Sequence, residues 1–124
     1  MRGLLIMIIT LLSFPAAAVE QSDDLDRGIS RLIHSVEQSD CQFIRNGKAY
    51  SPRESASHIT RKYQHYKNKI NSIDRFIELA ASKSVISGRP YQIVCVESDP
   101  ISASSWMRIK TRELGLSLRR DSAR

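Results

Sequence analysis

The sequence predicts an α+β fold: three to four helices packed on a small antiparallel sheet, in a single domain with one disulfide. Three observations carry that expectation. Apolar residues recur at helical spacing in several separate stretches. Two short β-rich segments, residues 41–45 and 91–96, each carry a cysteine. Asn46-Gly47, directly after the first segment, is the pair that most readily forms a tight hairpin turn, and a hairpin is antiparallel. Two or three strands are also too few for a doubly wound parallel sheet.

The chain opens with Arg2, an apolar run from Leu4 to Phe14 broken only by Thr10 and Ser13, then Pro15 and Ala16-Ala17-Ala18. This is the layout of a secretory signal peptide, here expected to be cleaved after Ala18. The apolar run of about eleven residues falls short of the roughly twenty that cross a bilayer. The expected organisation is therefore a signal peptide over 1–18, a single α+β domain over 19–115 and a basic, loose tail over 116–124. The expected location is the periplasm, with no transmembrane segment left after signal cleavage.

Past a polar leader at 20–24, Leu25, Ile29, Leu32, Ile33 and Val36 form one stripe of an amphipathic helix, with Asp23 and Asp24 at its start. Cys41-Gln42-Phe43-Ile44-Arg45 reads as a strand, Asn46-Gly47 as its turn and Lys48-Ala49-Tyr50 as the returning strand. Ser51-Pro52-Arg53-Glu54 is a strong helix start, with a capping serine, proline at the first helical position and glutamate completing a capping box. That helix is expected to run to about Ile70. Asn71-Ser72 interrupts it, and a third segment follows with Ile73, Phe76, Ile77 and Ala80 inward. Residues 82–90 read as loop, and 91–96 as the clearest strand. Ser102 caps a last short helix in which Trp106, Ile109 and Leu114 lean inward, with Gly115 as its stop.

The 124 residues carry 19 Lys and Arg against 13 Asp and Glu, a net charge of +6 that loses one unit with Arg2. In the cytoplasm such a balance would point to nucleic acid; an exported address removes that partner and leaves an anionic envelope ligand or an acidic protein. The two cysteines, Cys41 and Cys95, admit one pairing, and an oxidising compartment makes it a disulfide. In chain-entropy terms, closing the intervening loop contributes roughly 4 kcal/mol. The absence of a C-x-x-C pair points away from redox catalysis.

His58, Lys62, His65 and Lys69 recur along the margin of the long helix, a cationic flank fit for an anion. His58 and His65 stand about 10 Å apart along the axis, too far to share a metal. Ser84-Val85-Ile86-Ser87-Gly88-Arg89-Pro90-Tyr91 places hydroxyls, a glycine and a cation in one loop, a second anion candidate. Arg45 is left unexplained by its turn and is expected either to join the cationic surface or to pair with Glu54. No catalytic residue set, metal site or cofactor motif is expected.

With these residues in hand, the chain resembles the YfeK-like family of small exported bacterial proteins of unknown function. The resembling elements are Phe43-Ile44-Arg45-Asn46-Gly47, then Ala56, His58 and Lys62, then Phe76-Ile77 and Ala80, then Ser84, Ser87-Gly88, Pro90 and Tyr91, with Trp106 near the end. The resemblance implies a periplasmic domain without an established activity. Ser87-Gly88-Arg89-Pro90-Tyr91 also looks like the S-G-x-x-Y loop of periplasmic lysozyme inhibitors.

The functional expectation is a non-enzymatic binding or accessory domain with a cationic surface for an anionic envelope component. Its ligand-binding candidates are Arg45, His58, Lys62, Ser84, Ser87, Arg89 and Tyr91. The alternatives are a periplasmic hydrolase using Ser84 or Ser87 with His58, and a lysozyme-inhibitor-like protein using the 87–91 loop.

Overall fold

A computed structural model describes residues 17–119, together with residues 3, 6 and 8–12. Half of the expected signal peptide, including Pro15 and Ala16, lies outside the described residues, as do residues 120–124. In chain order the elements are α1 (Ala17–Glu37), β1 (Gln42–Arg45), β2 (Lys48–Tyr50), α2 (Pro52–Tyr66), α3 (Ile73–Phe76), β3 (Gln92–Val94), β4 (Ile101–Ser102) and α4 (Ala103–Glu113). A short 3-10 turn, Lys67–Lys69, follows α2, and a π-helical stretch, Ile77–Ala81, extends α3. The α+β expectation holds: four helices accompany one four-stranded antiparallel sheet, in the order β2-β1-β3-β4.

Local chemistry accounts for most element boundaries. Asn46 and Gly47 both take positive φ, 49° and 79°, as a type I′ hairpin turn requires. The Ser51 hydroxyl accepts from the Glu54 N–H at 3.1 Å and starts α2. Ser72 and Ser102 cap α3 and α4 in the same manner. Gly115, at φ +70°, closes α4: its N–H donates to Arg112 O and the Leu116 N–H donates to Thr111 O, the paired bonds of a Schellman motif.

One sheet face carries the core. Cys41, Phe43, Tyr91 and Ile93 are buried on it, whereas Gln42 and Gln92, one residue out of phase, are exposed. Against that face pack Ile29, Leu32 and Val36 of α1, Ala56, Ile59 and Tyr63 of α2, Phe76 and Ile77, and Trp106 and Met107 of α4. Trp106 meets Phe43 edge-on, and Tyr63 meets Phe76 likewise. The Tyr63 hydroxyl donates to Asp26 at 2.6 Å and ties α2 to α1.

Several expectations are corrected. Helix α1 begins at Ala17, not after a polar leader, since neither proline nor glycine interrupts the chain between there and Leu25; Asp23 and Asp24 then lie inside it, and Asp24 pairs with Arg27. Helix α2 stops at Tyr66, and Ile70 adopts an extended backbone that still buries its side chain. The two-residue strand β4, too short to show any alternation, was not anticipated. In α4 the inward stripe is Ala103, Trp106, Met107 and Thr111, and Ile109 is 39% exposed. Thr111 enters the core because its hydroxyl donates to Met107 O, which leaves no polar atom unpaired there. After Gly115 the chain does not detach: Leu116 and Leu118 pack on the core, and Leu118 O accepts from the Asp74 N–H.

Candidate functional site

The strand register sets the site. On the inner face, Cys41 stands opposite Cys95, Phe43 opposite Ile93, and the next step along the ladder brings Arg45 opposite Tyr91. The expected disulfide is present, with its Cα atoms 3.9 Å apart. It staples one end of the β1–β3 pair, and the charged residues gather at the other end.

Helix α2 crosses above that second end and lowers His58 and Lys62, one turn apart, onto Tyr91. The Lys62 ammonium donates to Lys83 O at 2.8 Å and to the Tyr91 hydroxyl at 3.3 Å. The Tyr91 hydroxyl lies 3.4 Å from His58 Nε2, so a neutral imidazole can accept its proton. The chain Lys62–Tyr91–His58 satisfies the phenol as both acceptor and donor. From β1, the Arg45 guanidinium lies 3.9 Å above the Tyr50 ring, and its Nε is buried without a hydrogen-bond partner.

These groups perturb one another in the manner of crowded cations. Burial, and after it the charges of Arg45, Lys62 and Arg61, lowers His58 from 6.5 to about 4. Burial and then Arg45 lower Lys62 from 10.5 to about 8. Burial raises the Tyr91 phenol, against the opposing pull of Arg45. No carboxylate among the described residues forms an ion pair with these cations. Among the described residues, the ion pairs fall on α1, α3, α4 and the 3-10 turn, and none includes Arg45, Lys48, Lys62, Lys83 or Arg89. The suggested Arg45–Glu54 pair does not form; Arg45 joins the cationic surface instead. The chain itself contains no Asp or Glu over 41–53, 55–73 or 79–96, the three segments that build this face.

The 84–89 loop borders the cluster. The Ser84 hydroxyl accepts from the Ser87 N–H at 3.2 Å, and Gly88, at φ +71°, donates back to Ser84 O. The Ser87 hydroxyl donates to Asn46 Oδ1 at 2.9 Å and fastens this loop to the hairpin turn. Both serine oxygens thus accept loop N–H groups, Ser87 also donates to Asn46, and His58 takes Tyr91 as its partner. Arg89 is exposed. Of the S-G-x-x-Y pattern, Ser87, Gly88, Arg89 and Pro90 are exposed whereas Tyr91 is 3% exposed and turned into the core.

Of the anticipated residues, Arg45, His58, Lys62 and Tyr91 converge, Ser84 and Ser87 hold the adjoining loop, and Arg89 flanks it. His65 and Lys69 do not take part: His65 packs on Tyr66, and Lys69 belongs to the 3-10 turn beyond the helix. Lys48 and Tyr50 were missed. The two-residue turn pairs Arg45 with Lys48, and pleat parity puts Tyr50 on the same face; hairpin counting alone would have found both.

At the stapled end, Ser35, Gln38, Ser39, Asp40, the disulfide, Trp106 and Lys110 line an open depression of about 570 Å³. Asp40, Cys41 and Cys95 lie within 4.8 Å of one another, but both sulfurs are spent in the disulfide and offer no thiolate to a metal.

The fold and its cationic sheet end define a small disulfide-closed α+β domain with an uncompensated positive surface. Residues 23–115 match the family described as "Family of unknown function (DUF5329)", and the chain belongs to that family. It is 33% identical over 85 residues to "Uncharacterized protein YfeK" of Salmonella typhimurium strain LT2, an alignment covering 68% of this chain and 71% of that protein. No solved structure matches.

Proposed function

We propose that this protein is an exported, non-enzymatic binding domain, and that the Arg45–His58–Lys62–Tyr91 cluster receives an anionic group of an envelope component. One observation carries the reading: cationic side chains converge on the half-buried end of a sheet and, among the described residues, none of them is paired with a carboxylate. Like charges brought together and partly desolvated oppose folding, and an anion that bridges them removes that opposition. Lys62 spends two of its three N–H donors on Lys83 O and Tyr91, which leaves one for a ligand. Ordered hydroxyls and a neutral histidine complete a site able to grade charge without performing chemistry. The pairing of His58 with Tyr91 rather than with Ser84 or Ser87 favours binding over hydrolysis. Export is supported by the leader pattern and by the disulfide; among the described residues no helix is long and apolar enough to cross a membrane.

Titration with glycerol phosphate, pyrophosphate and peptidoglycan fragments at low ionic strength, followed by amide and imidazole NMR shifts, tests this reading. Shifts confined to Arg45, Tyr50, His58, Lys62 and Tyr91, weakened by salt and at least tenfold weaker in Lys62→Met, are expected. An unmoved cluster with every probe would sink the proposal.

A further inference from the structure

The loop beside the cluster presents two large apolar side chains to solvent. Ile86 is 100% exposed and Val85 59%. Their exposure belongs to an ordered turn. Ser84 N donates to Arg89 O at 3.0 Å, Gly88 N to Ser84 O at 2.9 Å and Tyr91 N to Ser82 O at 2.9 Å. The Ser87–Asn46 bond then fixes this turn to the β1–β2 turn. Two hairpin-like tips so joined form one edge of the molecule. Lys83 and Arg89 flank the apolar tip, Lys48 stands in the adjoining hairpin, and all three are exposed and outside every ion pair among the described residues. An isoleucine held fully in water on a hydrogen-bonded loop, ringed by cations of one sign, is the arrangement of an interfacial anchor: an apolar tip for the acyl boundary and a basic collar for the headgroups.

We propose that this edge docks the domain on the surface of a bilayer carrying anionic headgroups, with Val85 and Ile86 entering the interface. The proposal rests on the anion-site reading and deepens it, because Lys62 of the cluster is bonded to Lys83 O at the base of this loop and would take a headgroup phosphate. Charge complementarity calls for an anionic partner, and the small area of the Val85–Ile86 tip favours a lipid surface over a protein. A protein interface of ordinary size needs roughly 800 Å² per side with a buried apolar centre, whereas weak, reversible attachment to an anionic interface adds a small apolar insertion to the attraction of basic residues.

Vesicle co-sedimentation tests the idea with the chain as recovered after export, using phosphatidylcholine vesicles with and without phosphatidylglycerol. The wild type is expected to bind only when phosphatidylglycerol is present, and less as salt rises. Ile86→Ser, at a site that contacts nothing in the fold, is expected to weaken binding roughly tenfold. Lys83→Gln with Arg89→Gln is expected to flatten the salt dependence. Ile86→Trp supplies a second readout, an emission blue shift on vesicle addition beyond that of Trp106 in the wild type. Equal binding by Ile86→Ser, indifference to phosphatidylglycerol, or an unshifted Ile86→Trp emission would overturn the inference. Should glycerol phosphate move the His58 and Lys62 signals while vesicles do not bind, the bilayer inference fails and the anion site stands; should neither bind, both fail.

Discussion

Arg45 and Tyr91 face each other across β1 and β3 in the same register that joins Cys41 to Cys95, two steps further along the ladder. The inner face of this strand pair therefore runs from a covalent staple, through the apolar Phe43–Ile93 pair, to a charged end. A one-residue slip would turn Arg45 to the outer face and break the cluster. The disulfide forbids that slip, so a stability device at one end holds the binding geometry at the other.

Replacing both cysteines, Cys41→Ser with Cys95→Ser, should lower stability by up to about 4 kcal/mol. Urea unfolding of the variant against the oxidised parent measures this. The same variant should show weaker anion binding than its residual folded fraction accounts for, because register is then held only by the buried Phe43–Ile93 face and the ladder hydrogen bonds.

Stability should fall in acid through His58. Its folded value, about 4, lies below its ordinary 6.5, so the unfolded chain takes up the proton first. The contribution is complete above pH 6.5 and is lost as the pH falls toward 4. Lys62, at about 8 against 10.5, behaves likewise at higher pH: stability gained above 10.5 is lost as the pH falls toward 8. Urea midpoints across both windows, compared between the parent, His58→Gln and Lys62→Met, separate the two groups.

Anion binding should take up protons near pH 8. A bound anion favours the charged form of Lys62, so affinity should rise as the pH falls through about 8 and again toward the His58 value of about 4. Calorimetry in two buffers of different ionisation enthalpy reads the proton uptake directly. Tyr91→Phe, which removes the shared hydroxyl, should reduce the affinity while the domain stays folded.

Gly115→Ala should destabilise the domain by about 1 kcal/mol, since the residue sits at φ +70° and closes α4. The loss should appear in thermal unfolding. Amide exchange should rise at Leu116 and at Asp74, whose N–H donates to Leu118 O, because the Schellman turn aims that segment at the core.

Local decisions were legible in the residues alone: the Asn46-Gly47 hairpin, the serine caps at 51 and 102, the Gly115 stop, the single possible disulfide and the charge balance. Each depends on residues a few positions apart, or on a count. The sequence also singled out Arg45, His58 and Lys62 as cations that turn or core chemistry did not require, and the loop and family resemblances added Ser84, Ser87, Arg89 and Tyr91. Which of them meet was set by long-range packing. The full helical flank from His58 to Lys69 shortened to its first turn where α2 ended at Tyr66, and Lys48 and Tyr50 entered through hairpin parity. The face of α4, the pairing of β4 and the docking of Leu116 and Leu118 were likewise settled by surfaces distant in sequence. Periodicity reports which residues share a face, but burial against a partner selects the face, and that partner is known only once the chain has folded.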